Sequence, residues 1–185
     1  MARYAMRDLT RANSNHPAWQ GLAESGFRVY TPLTWKITLR AGRKERRQTP
    51  VIHDLLFVDS PREELDRYVR HTPNLQYRFV RGGRQGDVMQ VDDKEMDRFI
   101  LATQSDPEPR YYSPAEITPA MIGKKVRIVG GTLDGMEGNL LSMKGMRKKR
   151  LIVELQGTLM AAVEVNPEYI EIIDNNNVAT DKKSK

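Results

Sequence analysis

Residues 123–155 read GKKVRIVGGTLDGMEGNLLSMKGMRKKRLIVEL, and their pattern predicts the fold of the last third of the chain. In this stretch, Val126 and Ile128 alternate with polar residues, which predicts a short strand that ends at a pair of glycines. Glycine tolerates positive φ and close backbone approach, so its recurrence here suits tight turns. The recurring glycines are Gly131, Gly135 and Gly138. The pattern predicts a small, strongly bent β-barrel.

Residues 140–155 continue this pattern. A strand is predicted at its start, and a basic turn follows over residues 145–149. Leu151 and Val153 then alternate with other residues, which predicts a further strand. The whole stretch closely resembles a KOW motif, a module of NusG-type transcription factors and of some ribosomal proteins. The resemblance implies an SH3-like five-stranded β-barrel over residues 120–174. It does not by itself choose between those two groups, and a barrel with no assigned binding role is a further alternative.

Composition places the chain among globular proteins with a modest core. Its 185 residues are enough for one large or two small domains, and 39% of them are hydrophobic and 29% charged. The formal net charge of +6 favours an anionic partner, and nucleic acid is the usual one. The absence of cysteine excludes disulfides, thiolate metal sites and thiol catalysis.

Neither a membrane segment nor an enzyme site is predicted. No apolar run approaches ~18 residues and the N-terminus carries no hydrophobic signal core, so we expect a cytoplasmic protein. The three histidines are scattered without metal-ligand spacing, and His53 falls within an apolar strand. The carboxylates at residues 63–64 and 92–93 are typical of helix starts, which they stabilise electrostatically. We therefore expect no catalytic residue, no metal site and no cofactor.

The first hundred residues alternate between strand and helix patterns. Their order reads β-α-β-β-β-α-β-α before residue 105, and the apolar residues 50–58 predict a central strand buried on both faces. Such alternation predicts an α+β fold, an open sandwich of antiparallel sheet and helices. The predicted segments are a domain over residues 1–104, a linker rich in proline, serine and charge over 105–119, the KOW domain over 120–174 and a disordered tail over 175–185.

A run of cations follows the third predicted strand. Residues 40–47, RAGRKERR, surround a glycine and include one acid, Glu45, which predicts the tip of a long hairpin. Flexible cations here would attract phosphate without reading sequence, and the other interpretation is a solvated loop. No aromatic residue interleaves the run, although Trp35 precedes it, so base stacking is not expected. The candidate nucleic-acid-binding residues are Arg11, Arg40, Arg43, Lys44, Arg46 and Arg47.

The N-terminal part shows a second resemblance. Residues 3–7, RYAMR, are similar to the opening strand of NusG N-terminal domains, and residues 27–33 to the second strand with its Pro-Leu ending. Residues 50–58, PVIHDLLFV, align with the family pattern Pro-Leu-Phe-Pro-Gly-Tyr-Val-Phe-Val, and residues 91–96 with the start of the closing helix. In this order, and followed by a KOW motif, they resemble a NusG-family transcription elongation and antitermination factor.

Three departures from the family pattern fall within one strand. Ile52 replaces an aromatic residue, His53 and Asp54 replace Pro-Gly, and Leu55 replaces a tyrosine. The apolar character of the binding pocket survives these changes while its details differ. Together with the basic run, they favour a specialised paralogue of the RfaH/UpxY kind over the housekeeping protein.

The resemblance implies a factor that binds RNA polymerase across its main cleft. One surface would grip the clamp helices of the largest subunit and another would touch the gate loop of the second-largest subunit, which favours the closed clamp and suppresses pausing or termination. The non-template DNA strand would make a weak contact with the basic run. The KOW domain would recruit a ribosomal protein or a termination factor. The alternative function is a ribosome-associated KOW-type RNA-binding protein.

The resemblance also assigns polymerase-binding residues. The candidates are Tyr4, Arg7, Ile52, Leu55 and Phe57, the apolar ones facing the clamp helices, and Asp66, Arg67 and Tyr68 near the gate-loop contact. Each group has a structural alternative. For Ile52 and Phe57 it is a place in the core, and for the helix residues it is a solvated face with Tyr68 packed beneath it.

Overall fold

The computed structural model of the protein describes residues 2–11, 14–40, 42–80, 82–155 and 157–173. Within these residues the chain has three α-helices and antiparallel sheets, which confirms the predicted α+β class. The chain divides into two compact units, the first ending at Asp93 and the second beginning at Lys94. No helix in the described part of the chain is long and apolar enough to cross a membrane.

The first unit is built on a five-stranded antiparallel sheet. Its elements are β1 (Ala2–Asp8), α1 (Ala18–Glu24), β2 (Arg28–Tyr30), β3 (Leu33–Arg40), β4 (Arg43–Pro50), β5 (Leu56–Ser60), α2 (Arg62–Arg70), β6 (Leu75–Tyr77) and β7 (Gln90–Val91). The strand order is β2-β5-β1-β6, with β7 also pairing with β1. Strands β3 and β4 form a separate two-stranded hairpin. The predicted element order lacked β4 and β7, because one is almost wholly polar and the other very short.

One face of this sheet carries the core of the first unit. Tyr4 and Met6 of β1 lie on it, and Tyr4 is in register with Val58 of β5. Leu22 of α1 and Leu65 of α2, both fully buried, pack against the same cluster. Burying a large aliphatic side chain stabilises a fold by about 1.5–3 kcal/mol. These contacts pack α1 and α2 against this face of the sheet.

The alternate residues of the same strands lie on the opposite face of the sheet. Ala5 of β1 is in register with Phe57 of β5, which is in register with Tyr30 of β2. The rings of Tyr30 and Phe57 are 6.3 Å apart. Because side chains alternate along a strand, Phe57 and Tyr4 lie on opposite faces. The surface made by Ala5, Arg7, Tyr30 and Phe57 is named the Phe57 face below.

The apolar strand predicted over residues 50–58 is shorter than expected. Residues 51–54 form a turn, and β5 begins only at Leu56. Its place is the predicted one, since β5 lies between β2 and β1 and is buried on both faces. The strand starts late because His53 and Asp54 would lose hydration in a central strand, which is costly for polar groups.

The basic run is a strand and not only a hairpin tip. Strand β4 begins at Arg43, and its residues are in register with those of β3 along its whole length. The chain reverses between Arg40 and Arg43, where Gly42 has a φ of 77°. Cations are tolerated in this strand because the ribbon leaves them exposed to solvent.

The second unit joins a helix to a six-stranded antiparallel sheet. Its elements are α3 (Asp93–Ser105), which begins at the division, β8 (Arg110–Tyr112), β9 (Ile122–Ile128), β10 (Glu137–Leu141), β11 (Arg150–Leu155), β12 (Leu159–Glu164) and β13 (Ile170–Ile172). The strand order is β13-β9-β10-β11-β12-β8. The alternating apolar residues of β9 and β11 are buried, which gives this unit its own core.

Part of the predicted linker belongs to this sheet. Strand β8 pairs with β12. Asp106, only 4% exposed, accepts hydrogen bonds from Arg150 at 2.8 Å and from the backbone amide of Glu164 at 2.7 Å. Residues 106–112 are therefore attached to the sheet and are not a free spacer. The functional domains over residues 1–104 and 120–174 stay a prediction.

Candidate functional site

The β3–β4 hairpin carries most of the predicted nucleic-acid contacts. Residues in register on an antiparallel ribbon share a face, and successive residues alternate between faces. The register pairs Ile37 with Arg46 on one face and Lys36 with Arg47 on the other. The hairpin therefore presents two chemically different faces.

One face combines exposed apolar side chains with cations. Trp35, Ile37 and Leu39 are 54%, 73% and 75% exposed. The guanidinium of Arg46 lies 4.6 Å from the centre of the Trp35 ring, within the range of a cation–π contact, and Lys44 is in register with Leu39. The surface made by these five residues is named the tryptophan face. The linear sequence has no aromatic residue within the basic run, but strand pairing places the Trp35 ring beside Arg46 of that run.

The other face of the hairpin is polar and partly engaged within the fold. Arg47 donates hydrogen bonds to the carbonyl oxygens of Ser14 at 3.5 Å and Asn15 at 3.4 Å. Arg47 therefore ties the hairpin to the loop before α1. Arg43 is exposed and in register with Arg40, whose side chain lies outside the described residues.

Three cations of the run remain open to solvent. Within the described part of the chain, no carboxylate forms an ion pair with Arg43, Lys44 or Arg46. All three are exposed. They are thus able to contact phosphate, whereas Arg47 has a structural partner.

Arg11 meets the base of the hairpin at an open cavity of about 270 Å³. Arg11 and Arg47 both line it, together with His53, whose Nε2 lies 2.7 Å from the carbonyl oxygen of Thr10. Trp19 also lines the cavity, and its Nε1 is buried without a hydrogen-bond partner among the described residues. Arg11 therefore shares this cavity with Arg47 of the basic run. A common contact of Arg11 and the run with nucleic acid stays a prediction.

The apolar candidates for polymerase binding are not gathered on one surface. Tyr4 is 4% exposed and lies on the helix-covered face of the sheet, while Phe57 is 2% exposed and lies on the opposite face. Leu55 is equally buried just before β5. Ile52, in the turn over residues 51–54, is half-buried and keeps access to solvent.

Arg7 extends from the Phe57 face into a small charged cluster. Its Nε lies 3.3 Å from Oδ2 of Asp54, and a guanidinium nitrogen of Arg78 lies 3.0 Å from the same oxygen. Partly exposed pairs of this kind contribute at most about 1 kcal/mol each. The cluster ties the turn over residues 51–54 to β1 and leaves the Arg7 side chain 47% exposed.

Asp66 is held in a network that joins α2 to the sheet. Its Oδ1 accepts hydrogen bonds from Tyr77 at 2.7 Å and from Nε of Arg62 at 2.8 Å. Arg62 lies over the Tyr77 ring at 4.5 Å, and Tyr77 packs edge-on against Tyr4. Burial alone would raise the pKa of Asp66, but the hydrogen bonds from Tyr77 and Arg62 outweigh it and lower the pKa. Burial and the bond to Asp66 raise the pKa of Tyr77.

The other two gate-loop candidates differ in accessibility. Arg67 is exposed, and its Nε donates a hydrogen bond at 3.4 Å to the carbonyl oxygen of Glu63 one turn earlier. Tyr68 is half-buried against the core, with its ring edge-on to Phe27 at 5.2 Å. Of the candidates on α2, Arg67 is the one best placed to touch a partner.

The KOW-motif residues surround the turn between β9 and β10. Val126 and Ile128 are buried in β9. Gly131 and Gly135 have φ values of 70° and 75°, which favour glycine. Gly138 lies in β10, where an added Cβ would be only 2.6 Å from a carbonyl oxygen of the neighbouring strand. The first two glycines are required by backbone conformation and the third by close approach.

Two features of the structure are not predicted by the sequence. Trp35, Ile37 and Leu39 alternate with polar residues, but a half-buried strand has the same pattern. The sequence therefore does not predict that these three side chains are exposed. Arg150 is adjacent to a run of solvated cations and nothing local distinguishes it, yet it is 4% exposed and paired with Asp106. Its burial depends on a partner far away in the sequence.

A comparison with known families finds a match over residues 4–100 to the family described as "Transcription termination factor nusG". The match covers more than half of the chain. It includes the main sheet of the first unit, the hairpin and α2, and it ends before the KOW-like stretch. No curated protein matches the chain.

Proposed function

Since the chain belongs to the NusG family of transcription factors, we propose that it is an elongation and antitermination factor that binds RNA polymerase across the cleft. The observation that carries this proposal is the family match over residues 4–100. Within the family, the departures at Ile52, His53 and Leu55 support a specialised paralogue of the RfaH/UpxY kind.

The proposed mechanism is differential binding without catalysis. A pause requires the clamp to open, so a factor that bridges the cleft binds the closed state better than the open one. Such a ligand shifts the population towards the closed clamp. A differential binding free energy of about 1.4 kcal/mol changes the ratio of the two states about tenfold. No bond is formed or broken.

We assign the clamp-helix contact to the accessible edge around the turn over residues 51–54. Ile52 keeps access to solvent there, and Arg7 is linked to the same turn through Asp54. Leu55 and Phe57 would support this edge from beneath, since both are buried. The gate-loop contact is assigned to Arg67 on the exposed side of α2.

The second unit is proposed to be a KOW domain with an SH3-like barrel that recruits a ribosomal protein or a termination factor. Its antiparallel sheet and its glycine-rich turn between β9 and β10 support the assignment. The domain would cover residues 120–174.

Co-purification tests the proposed function. Tagged full-length protein captured under moderate salt should carry RNA polymerase subunits, and purified protein should shorten pauses in transcription by that polymerase. Recovery of ribosomal RNA without polymerase would instead support the ribosome-associated alternative. Run-on transcription mapping in a deletion strain would then locate the regulated genes.

The hairpin cations are proposed to contact the non-template strand beside the docked factor. Replacing Arg43, Lys44 and Arg46 by alanine should weaken crosslinking to that strand in a paused elongation complex. Because each phosphate contact to single-stranded DNA contributes about 0.7 to the slope of log affinity against log salt, the slope should fall by about 2. Arg47 is left in place because it ties the hairpin to the preceding loop.

A double variant of Lys124 and Lys125, exposed cations of the second unit, is the control. It should leave the crosslink and the slope as in the wild type. Unchanged crosslinking in the triple variant would show that the run is only a solvated ribbon.

A further inference from the structure

The tryptophan face is an exposed apolar strip that the cation contacts alone do not explain. Phosphate binding needs only Lys44 and Arg46 on this side of the hairpin. Trp35, Ile37 and Leu39 are more than half exposed, and alternate residues of a strand stand about 6.6 Å apart. Exposed apolar side chains in such a row mark an interaction surface.

The chemistry of this face favours one kind of occupant. Its charged members are Lys44 and Arg46, and the acid of β4, Glu45, is in register with Thr38 on the other face. The occupant should therefore be anionic, and it should also offer flat apolar groups to a tryptophan ring and two aliphatic side chains. Unpaired nucleobases on a phosphodiester backbone meet both requirements, whereas the stacked bases of a duplex hide their faces.

We propose that the tryptophan face is a stacking platform for unpaired bases of single-stranded nucleic acid. A base stacks on the part of the Trp35 ring that remains exposed, Arg46 and Lys44 bind the flanking phosphates, and Ile37 and Leu39 extend the apolar strip. The Arg46 guanidinium orients the ring by its cation–π contact. The inference rests on the nucleic-acid contact proposed above for the hairpin and adds bases to the phosphates that the hairpin recognises.

The test compares two strands that differ only in their bases. Full-length protein is titrated at low salt into a fluorescently labelled oligothymidylate and into an abasic strand of the same length, and polarisation reports binding. The wild type should bind oligothymidylate more tightly. Trp35→Ala should weaken binding of oligothymidylate roughly tenfold and leave the abasic strand unchanged, since stacking on one aromatic residue is lost.

Two further variants separate stacking from folding. Trp35→Phe retains an aromatic ring and should bind nearly as the wild type does. Phe79→Ala removes another exposed aromatic side chain of the first unit, 57% exposed, and should change neither affinity. Thermal unfolding followed by circular dichroism should show that all variants are folded.

Three results would contradict the proposed stacking platform. They are equal affinity of the wild type for both strands, an equal loss of affinity for both strands in Trp35→Ala, and no binding of either strand. If Trp35→Ala keeps its affinity for oligothymidylate but no longer co-purifies with polymerase, the face binds protein instead. Because the oligonucleotide titration contains no polymerase, it fails or succeeds independently of the proposed function, which polymerase co-purification tests.

Discussion

At the scale of single residues, Asp66 shows how a predicted contact residue is used inside the fold. Its carboxylate joins Arg62 of α2 to Tyr77 of β6, and this network lowers its pKa in the folded state. A lowered pKa in the folded state stabilises the fold above the pKa of the unfolded state and loses that effect as pH falls through the folded pKa. The contribution is therefore present at pH 7 and disappears in acid, below the ordinary value of 3.8.

Asp66→Asn should lower the free energy of unfolding at pH 7 by about 1 kcal/mol, a charged hydrogen bond reduced by partial exposure. The difference from the wild type should shrink as the pH falls below the ordinary pKa of the carboxyl, because the wild type then loses the charge as well. Urea unfolding of both proteins at pH 7 and at a pH below the ordinary pKa of the carboxyl measures this difference in the free energy of unfolding. Arg67→Ala on the same helix is the control and should leave stability unchanged while it reduces the antipausing effect. A pH-independent difference for Asp66→Asn would contradict the assigned role of its charge.

Leu55 and Ile52 allow packing to be separated from recognition. Leu55→Ala should lower the free energy of unfolding by about 2–5 kcal/mol, because its side chain is 2% exposed. Ile52→Ala should cost less, because its side chain is half-buried, and should weaken polymerase binding. Denaturant unfolding gives the stability, and titration of the folded fraction with polymerase gives the affinity. Unchanged affinity in Ile52→Ala would remove this residue from the interface.

At the scale of elements, the β3–β4 hairpin is a two-stranded ribbon outside the main sheet. Such ribbons are marginally stable alone. Here the cross-strand contact of Arg46 with Trp35 supports the ribbon, and Arg47 anchors it to Ser14 and Asn15. The hairpin thus keeps the tryptophan face accessible to solvent, while its other face, which Arg47 attaches to the first unit, is only partly accessible.

Gly135 in the turn between β9 and β10 and Gly138 in β10 are required for different reasons, and substitutions should distinguish them. Gly135→Ala should cost about 1–2 kcal/mol because φ is positive, and Gly135→Asn should cost less because asparagine tolerates that conformation. Gly138→Ala should cost about 1–3 kcal/mol, since its Cβ would lie 2.6 Å from the Ile152 carbonyl oxygen and the backbone must shift.

Urea unfolding of the full chain, followed by a signal from the second unit, measures these changes. Gly138→Asn serves as the matched comparison and should be as destabilising as Gly138→Ala or more so. A stability of Gly138→Ala close to that of the wild type would show that the strands separate easily at this point.

At the scale of the whole molecule, the second unit needs residues that precede the predicted KOW boundary. Asp106 and β8 lie outside residues 120–174, yet one pairs with Arg150 and the other with β12. A fragment of residues 120–174 leaves a buried arginine unpaired and the edge of β12 uncovered. It should be about 3–5 kcal/mol less stable than a fragment of residues 105–174.

Urea unfolding of the two fragments tests this expectation. Arg150→Met in the shorter fragment should recover part of the lost stability, because it removes the unpaired buried charge. The same substitution in the longer fragment leaves Asp106 unpaired and should not stabilise it. Equal stability of the two unsubstituted fragments would show that Asp106 and β8 contribute nothing to this unit.

Local patterns were sufficient wherever a few neighbouring residues set the outcome. The helix and strand character of most elements, the glycine turn near Gly131 and Gly135, and the α+β class were predicted from the sequence and are present. They could be predicted because backbone conformation and strand alternation depend on residues close together in the chain. The same patterns, in their order, supported membership of the NusG family, which the match over residues 4–100 shows.

Which side chains meet across strands depends on the three-dimensional fold of the chain. It placed Tyr4 and Phe57 on opposite faces of one sheet, brought Trp35 beside Arg46, and buried Arg150 against Asp106. Strand register causes this, because a shift of one residue moves every side chain of a strand to the other face. For β1 with β5 and for Arg150 with Asp106, the partners are far apart in the chain, and no local pattern contains their pairing. In the β3–β4 hairpin the register follows from where the chain reverses, between Arg40 and Arg43.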